Sequence, residues 1–189
     1  MSKERCSWVK LSDPVYVAYH DTEWGKPLHD DRALFELFCL ETQSAGLSWL
    51  TILKKREGYR KVFEGFDLQK VAAYTQEDVN RILQSDQVIK HKAKIESIIN
   101  NAKGFLKIQH EYGSLDAYFW SKVDGKPIVN DVDEHKDTIT TSNISDELTK
   151  ELKKKGFKFV GSVTIYSFMQ ASGMVNDHKN ECFCKQIKD

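Results

Sequence analysis

Two cysteines and two histidines, residue types that often bind metals, stand at opposite ends of the chain. Cys6 and His20 lie near the N-terminus, whereas His178 and Cys182 lie near the C-terminus. The second pair is spaced so that one helical turn would place both side chains on the same face. A Cys2His2 set suits a closed tetrahedral site for a structural Zn²⁺ ion. Taken singly, these residues are also typical of buried thiols and surface imidazoles, and the other two cysteines compete as ligands.

A second group of candidate residues surrounds two glycines near the C-terminus. This segment consists of Gly156, Phe157, Lys158, Phe159, Val160 and Gly161. Glycines allow a tight turn in which backbone N–H groups and a helix N-terminus face an anion. A DNA phosphate is the natural anion, because backbone contacts fix position without reading sequence. The alternative is an ordinary helical hairpin whose neighbouring lysines, Lys153–Lys155, form only a solvated face.

Periodic apolar residues predict a helix on each side of this turn. Leu148 and Leu152 give Asp146–Lys155 one apolar stripe, and Gly156 suits the left-handed position just past a helix end. The run Ser162–Met169 is apolar nearly all round, which is typical of a buried helix. The pattern is therefore helix, glycine-bounded hairpin, helix.

The rest of the chain also indicates short helices. Four predicted helices are Asp31–Ser44, Leu68–Tyr74, Lys90–Tyr112 and Leu115–Val123. A fifth begins at Ser48 and ends at Lys54–Arg56, and a sixth begins at the capping box Thr75–Asp78. Residues 126–143 have little periodicity and are interpreted as a loop. The segment Cys6–Pro27 looks irregular and aromatic, with Val15–Tyr19 a possible strand that has no obvious partner. We therefore predict an all-α bundle of about eight to ten helices, in one domain (1–189) that could comprise two lobes.

The composition restricts partners and compartment. The 189 residues include 28 basic and 28 acidic side chains, so any nucleic-acid-binding surface must be a local patch. The sequence has neither the apolar core of a signal peptide nor a membrane-length apolar run. We expect a soluble cytoplasmic protein, in which cysteines serve as ligands or core residues rather than in disulfides.

Short motifs occur in a fixed order from Cys6 to Cys182. They are Cys6-Ser7-Trp8, Asp13–Tyr16, Tyr19–Gly25, Leu40–Trp49, Leu53–Arg56, Gly156–Gly161 and Val175–His178. Together they resemble the bacterial 3-methyladenine DNA glycosylase I family. The resemblance implies a helix-hairpin-helix glycosylase that hydrolytically removes alkylated adenine from double-stranded DNA, and a glycosylase of this size can act as a monomer. It also implies a structural Zn²⁺ that ties the two ends together through Cys6, His20, His178 and Cys182.

The resemblance further implies a base-binding pocket. Its residues would be Trp8, Tyr16, Tyr19, Trp24, Glu41 and Trp49. An enzyme that acts on a base must take it out of the stack and hold it between aromatic faces. N3-methylation makes adenine cationic, and electron-rich rings attract cations. Glu41 would accept a hydrogen bond from the exocyclic amine and balance the charge, so selectivity would be a difference in interaction energy between damaged and normal bases. The alternative places Glu41 in solvent and the tryptophans in an ordinary core.

Two positions bear on the type of reaction. Lyase-type relatives carry a lysine nucleophile just past the hairpin, where this chain has Ser162-Val163, so we expect base removal without strand cleavage. Asp177 lies where many helix-hairpin-helix glycosylases place a catalytic aspartate. However, it directly precedes His178 and the resembled family does without that aspartate, so Glu41 is the one catalytic candidate.

Two other functions stay open. The first is a zinc-stabilised helix-hairpin-helix module that binds DNA without catalysis. The second is a glycosylase for another lesion such as 7-methylguanine, whose carbonyl would face the Glu41 acceptor.

Overall fold

The structure is a computed structural model that describes residues 3–133 and 138–185. Its α-helices are α1 (Pro14–Thr22), α2 (Asp31–Ser44), α3 (Trp49–Val62), α4 (Leu68–Ala72), α5 (Gln76–Gln84), α6 (Lys92–Tyr112), α7 (Leu115–Trp120), α8 (Asn143–Lys154) and α9 (Ser162–Ala171). Short 3₁₀ turns follow α3 at Glu64–Phe66 and α7 at Ser121–Val123. Two short strands, β1 (Ile128–Val129) and β2 (Val175–Asn176), pair in parallel. The predicted all-α class is confirmed, and the described helices include none long and apolar enough to span a membrane.

Helix α2 forms the centre of the hydrophobic core. Its residues Leu34, Phe35 and Phe38 are fully buried. The Phe38 ring meets the rings of Phe105 on α6 and Phe168 on α9 at centroid distances of 4.8 and 5.4 Å. Edge-on aromatic contacts of this kind add to the free energy gained from apolar burial. The core therefore fixes α2, and with it the side chains at its C-terminal end.

Helices α8 and α9 are joined by a tight turn. The N–H groups of Gly156 and Phe157 donate to the carbonyls of Lys153 and Leu152, both at 3.0 Å. Gly156 has φ +84°, so this is a Schellman C-cap that uses the left-handed conformation open to glycine. Phe157 is buried, whereas Phe159 is exposed at the tip of the turn. Buried Phe157 thus anchors the turn to the core.

The N-terminal segment differs from the prediction. Val15–Tyr19 is helical rather than irregular or extended, and it lies within α1. The Asp13 carboxylate accepts hydrogen bonds from the N–H groups of Val15 and Tyr16 at 3.2 and 3.4 Å. Pro14 occupies the first turn, where a missing N–H costs nothing. The Asp-Pro pair is therefore a helix start, a signal that outweighs the β-propensity of the residues after it.

Helix α3 is longer than predicted. It continues past Lys54–Arg56 to Val62, because Tyr59 extends its buried face. Arg56 therefore lies in mid-helix, where its guanidinium binds the Glu23 carboxylate at 2.5 and 3.0 Å. Cations at the end of an apolar stripe indicate a helix C-terminus only when no buried residue follows them.

The remaining differences are smaller. Helix α4 ends at Ala72, α6 begins at Lys92, and α7 passes into its 3₁₀ turn after Trp120. The predicted loop 126–143 contains β1, and its residues 134–137 lie outside the described residues. Helix α8 begins at Asn143, earlier than expected, because Ser142 and Ser145 form its N-terminal capping box.

Candidate active site

The N-terminal segment, α2, α3 and α9 surround a cavity of about 470 Å³. All six residues predicted for the base pocket line it, namely Trp8, Tyr16, Tyr19, Trp24, Glu41 and Trp49. The cavity is also lined by residues that the sequence did not single out, among them Ser44, Leu47, Ser167 and Gln170. Isolated polar residues in an apolar helix such as α9 carry no sequence signal of their own. The structure therefore brings the predicted set together and adds to it.

Aromatic rings form the walls of this cavity. Trp8 packs against Tyr16 and Trp24, with centroids 5.2 and 5.0 Å apart. Tyr19 packs against Trp49 at 5.5 Å. Tyr16 and Tyr19 are three residues apart in α1 and so lie on one side of that helix. A flat, cationic guest would find electron-rich ring faces or edges on several sides.

Glu41 is a buried carboxylate on α2 that lines the cavity. It is 5% exposed, so the alternative of a solvent-facing residue is wrong. Among the described residues its carboxylate has neither an ion-pair partner nor a hydrogen-bond donor, and burial raises its pKa to about 8. An ionised carboxylate in such surroundings gains strongly from an incoming cation or donor. Trp49 is a second unsatisfied group, because its Nε1 is buried and finds no acceptor within the described chain.

Asp177, in contrast, is a fully engaged carboxylate. Its Oδ2 accepts hydrogen bonds from the Tyr166 hydroxyl at 2.8 Å and from Gln170 Nε2 at 2.7 Å. Its Oδ1 accepts one from Asn130 Nδ2 at 2.7 Å. Asp177 also lines the cavity. Three donors hold it in place, and these contacts account for its burial without a catalytic role.

The four predicted metal ligands form one buried cluster. Cys6, His20, His178 and Cys182 each offer a ligand atom, and these atoms all lie within 4.8 Å of one another. The His178 Nδ1 lies 3.5 Å from Cys6 Sγ and 3.6 Å from Cys182 Sγ, and His20 Nε2 lies 3.4 Å from Cys182 Sγ. Zinc bonds of usual length in a tetrahedron place sulfur and nitrogen ligands about 3.6 Å apart. The geometry therefore fits a Zn²⁺ ion.

Hydrogen bonds at the outer ring nitrogen of each histidine orient the inner nitrogen for metal binding. His178 Nε2 donates to the Trp24 carbonyl at 3.0 Å, and His20 Nδ1 lies 2.8 Å from the Asp21 carboxylate. Such partners fix the tautomer that turns the other nitrogen towards a metal. Burial lowers the pKa of His178 to about 4 and also lowers that of His20. Both rings are therefore neutral near pH 7, which is the form that ligates metals.

The route by which the C-terminal pair meets differs from the prediction. His178 and Cys182 are not on a helix; a turn closed by the Cys182 N–H and the Lys179 carbonyl at 2.9 Å brings them together. Of the two competing cysteines, Cys39 lies in the main core. Cys184 forms a different group with His20 and Asp21.

The turn between α8 and α9 is clamped onto α6. Asn101 Oδ1 accepts from the Lys158 N–H at 2.9 Å, and Asn101 Nδ2 donates to the Lys158 carbonyl at 3.1 Å. Gly104 leaves room for the Phe157 ring, since a Cβ there would approach it to 2.5 Å. Gly161 is the N-cap of α9 and offers no capping side chain, so the first N–H groups of that helix need another acceptor.

Residues 8–185 match the family model of methyladenine glycosylase. The chain belongs to the methyladenine glycosylase family. The DNA-3-methyladenine glycosylase 1 of Escherichia coli (strain K12) is 50% identical over 181 residues, which are 96% of each chain. A crystal structure of 3-methyladenine DNA glycosylase I shares 51% identity and superimposes with a TM-score of 0.92 over 96% of this chain and 99% of that one. A crystal structure of a variant 3-methyladenine DNA glycosylase I in complex with 3-methyladenine shares 45% identity with a TM-score of 0.90, over 94% of this chain and 95% of that one.

In this methyladenine glycosylase family member, α9 connects the turn to the cavity. The helix begins at the Gly161 end of the turn, and its residues Ser167 and Gln170 line the cavity. Trp24 connects the cavity to the Cys2His2 cluster, because its ring packs on His178 at 4.6 Å. Helix α9 and Trp24 therefore connect the turn, the cavity and the cluster to one another.

Proposed function

We propose that the protein is a monofunctional DNA repair glycosylase that flips 3-methyladenine out of alkylated duplex DNA and hydrolyses its bond to the sugar. The observation that carries this function is Glu41, a buried carboxylate without a described partner at an aromatic cavity. The relatives named as 3-methyladenine glycosylases, one of them crystallised with that base, support the same substrate.

Selectivity follows from the charge of the damaged base. 3-Methyladenine in DNA is cationic, and the rings of Trp8, Tyr16 and Trp49 attract a cation at close range. Glu41 accepts a hydrogen bond from the exocyclic amine and neutralises the positive charge inside a site of low polarity. Undamaged adenine lacks both the methyl group and the charge, so it gains less from both contacts.

The chemistry is hydrolysis of the N-glycosidic bond. The bond between N9 and C1′ breaks, its electron pair neutralises the base, and water adds its hydroxyl to C1′ and releases a proton. The base leaves readily because it is already cationic, so strong protonation by the enzyme is not required. Ser162 and Val163 follow the turn and supply no amine nucleophile, which favours hydrolysis without strand cleavage.

The turn Gly156–Gly161 with α8 and α9 acts as a helix-hairpin-helix that binds the DNA backbone. The uncapped N-terminus of α9 supplies N–H donors, and its dipole favours a phosphate. Lys158 and the lysines at the end of α8 add positive charge. These contacts set the register of the duplex without reading its sequence. One chain supplies every element of this scheme, so we propose that it acts as a monomer.

A structural Zn²⁺ ion held by Cys6, His20, His178 and Cys182 completes the proposal. The sulfur-nitrogen distances, the complete burial and the hydrogen bonds to the outer nitrogens all support zinc rather than an ordinary buried cluster. All four positions carry protein ligands, so such an ion has no open site and only joins the two ends of the chain.

The deciding experiment is a release assay. The protein is incubated with methylated duplex DNA, free bases are measured by mass spectrometry, and the strands are analysed before and after hot alkali. We expect free 3-methyladenine, and breaks only after alkali. Binding without release would favour the non-catalytic DNA-binding module, and preferential release of 7-methylguanine would favour the other lesion.

A further inference from the structure

Lys94, in the first turn of α6, is a buried lysine with an unusual environment. It is 6% exposed and forms no ion pair with any described carboxylate. Its Nζ instead donates to the backbone carbonyls of Gln43 at 2.8 Å and Ala45 at 2.6 Å. Burial opposes the charge and lowers the pKa of Lys94. A cation at a helix N-terminus is also unfavourable for that helix, so the stability of α6 does not explain it.

The two carbonyls belong to the C-terminal end of α2, where a cation is favourable. They are among the last carbonyls of that helix, which find no partner within it. The contact is reciprocal, because Gln43 Nε2 donates to the Lys94 carbonyl at 3.0 Å. The Tyr59 hydroxyl in turn donates to Gln43 Oε1 at 3.4 Å. The end of α2 and the start of α6 are thus locked together by side chains from both helices.

The residues that Lys94 binds, Gln43 and Ala45, lie in the chain between two residues that line the cavity. Glu41 precedes them on α2, and Trp49 follows them as the first residue of α3. The connection between them includes Gly46 in the left-handed conformation, with φ +76°, and Leu47, which lines the cavity. Ala45 is the first residue of this connection, so the hydrogen bond from Lys94 fixes the point at which the chain leaves α2.

The same helix also holds the hairpin proposed to bind DNA. Asn101 lies seven residues after Lys94, which places both on one face of α6. Its side chain binds the backbone of Lys158 through two hydrogen bonds. One face of α6 therefore contacts both the cavity wall and the turn.

We propose that Lys94 is a positioning residue for base excision. It fixes the end of α2, and with it Glu41 and Trp49, against the helix that holds the DNA-binding turn. The inference rests on the proposed glycosylase function. Loss of the ammonium leaves the turn in place but lets the connection 45–48 move relative to the bound sugar. Displacements of about 1 Å at a reacting centre lower rates on the order of 100-fold.

The test compares Lys94→Met, Lys94→Arg and the control Lys107→Met, which removes an exposed lysine from the same helix. Single-turnover release of 3-methyladenine is measured per folded molecule, beside affinity for duplex DNA that carries an abasic site. We expect Lys94→Met to slow release about 10-fold to 100-fold, with affinity within about threefold of wild type. Lys94→Arg should recover part of the rate, and Lys107→Met should match wild type.

Amide hydrogen exchange provides a readout that does not depend on activity. Lys94→Met should speed exchange in residues 44–48 and leave α9 unchanged. A release rate within twofold of wild type, or unchanged exchange, would overturn the role of Lys94. If Lys94→Met does not fold, the same outcomes apply to Gln43→Leu, which removes the reciprocal bond. Absence of release by the wild-type protein would instead overturn the glycosylase function itself, and the positioning role with it.

Discussion

A single carboxylate, Glu41, determines how this site distinguishes a charged base from a neutral one. Its surroundings are rings rather than cations or described donors, so ionisation of Glu41 in the free protein carries an electrostatic cost that a cationic ligand offsets. Asp177 shows the contrast within the same cavity. Three donors already satisfy it, and it therefore has less to gain from a ligand. The two carboxylates of this cavity thus differ in their hydrogen-bond partners.

Glu41→Gln tests this account through activity. The amide keeps the size of the side chain but carries no charge, so we expect single-turnover release of 3-methyladenine to fall on the order of 100-fold. Affinity for duplex DNA should stay within about threefold, since the Gly156–Gly161 turn is unchanged. Unchanged release would show that Glu41 takes no part in base excision.

The same substitution should affect stability in a pH-dependent way. The pKa of Glu41 rises from 4.5 to about 8 on folding, so between these values the native state binds more protons than the unfolded state. Burial of Glu41 therefore does not lower the free energy of unfolding below about pH 4.5, and it lowers this free energy progressively as the pH rises towards 8. Glu41→Gln removes this loss, and its Tm advantage over wild type should grow by several degrees from pH 5 to pH 8.5. The control is Glu147→Gln, exposed on α8, whose Tm difference from wild type should stay constant. A constant difference for Glu41→Gln as well would contradict the raised pKa.

At the scale of helices, α6 separates two tasks. Asn101, farther along the helix than Lys94, holds the turn through its contacts with Lys158. Asn101→Leu should weaken binding to undamaged duplex DNA about fivefold to 20-fold, because the unheld turn must be ordered on binding. The release rate at saturating DNA should stay within about twofold. Fluorescence anisotropy and single-turnover kinetics measure the two quantities, with Asn80→Leu, exposed on α5, as the control. A reduced release rate at saturating DNA with normal affinity would show that Asn101 acts in base release rather than in DNA binding.

The helices that position the site differed in how well the sequence predicted them. Helix α2 was predicted with its observed ends, Asp31 and Ser44, because its apolar spacing and its Ala-Gly stop agree. Helix α1 was missed, because its aromatic and β-branched residues masked the Asp13-Pro14 start signal. Local patterns succeed where propensity, spacing and caps point to the same structure. Where they conflict, as in α1, the capping signal of Asp13-Pro14 outweighs the β-propensity of the residues after it.

The candidate site was predictable from the sequence only in part. The resemblance identified the six cavity residues. The four metal-ligand candidates, which are separated by most of the chain, came from residue types and spacing and were supported by the resemblance. Lys94 and Asn101 carried no signal, since a lysine and an asparagine in a long polar helix are ordinary surface residues. Their importance depends on burial against α2 and the turn, and only the folded chain supplies that information.

For the molecule as a whole, the Cys2His2 cluster joins the two ends of the chain beside the cavity. Cys6 and His20 come from the N-terminal segment, and the other two proposed ligands come from the residues after β2. Trp8 packs on His20 with centroids 5.3 Å apart, and Trp24 packs on His178. Trp24 belongs to a small buried cluster that is separate from the main core, and Trp8, which is 36% exposed, packs on Trp24. Their position therefore depends on the closure of the two ends.

Cys182→Ala should remove both the zinc and this closure. Loss of one thiolate opens a tetrahedral site and leaves buried His20 and His178 without a metal, so we expect less than one zinc per chain and a Tm lower by several degrees. Release of 3-methyladenine should fall less than in Glu41→Gln, because only the placement of Trp8 and Trp24 changes. Elemental analysis, thermal melts and the release assay measure the three effects. The control is Cys184→Ser, which tests the competing ligand and should keep one zinc per chain. A Cys182→Ala protein that retains its zinc and melts like wild type would show that the two ends are held by packing alone.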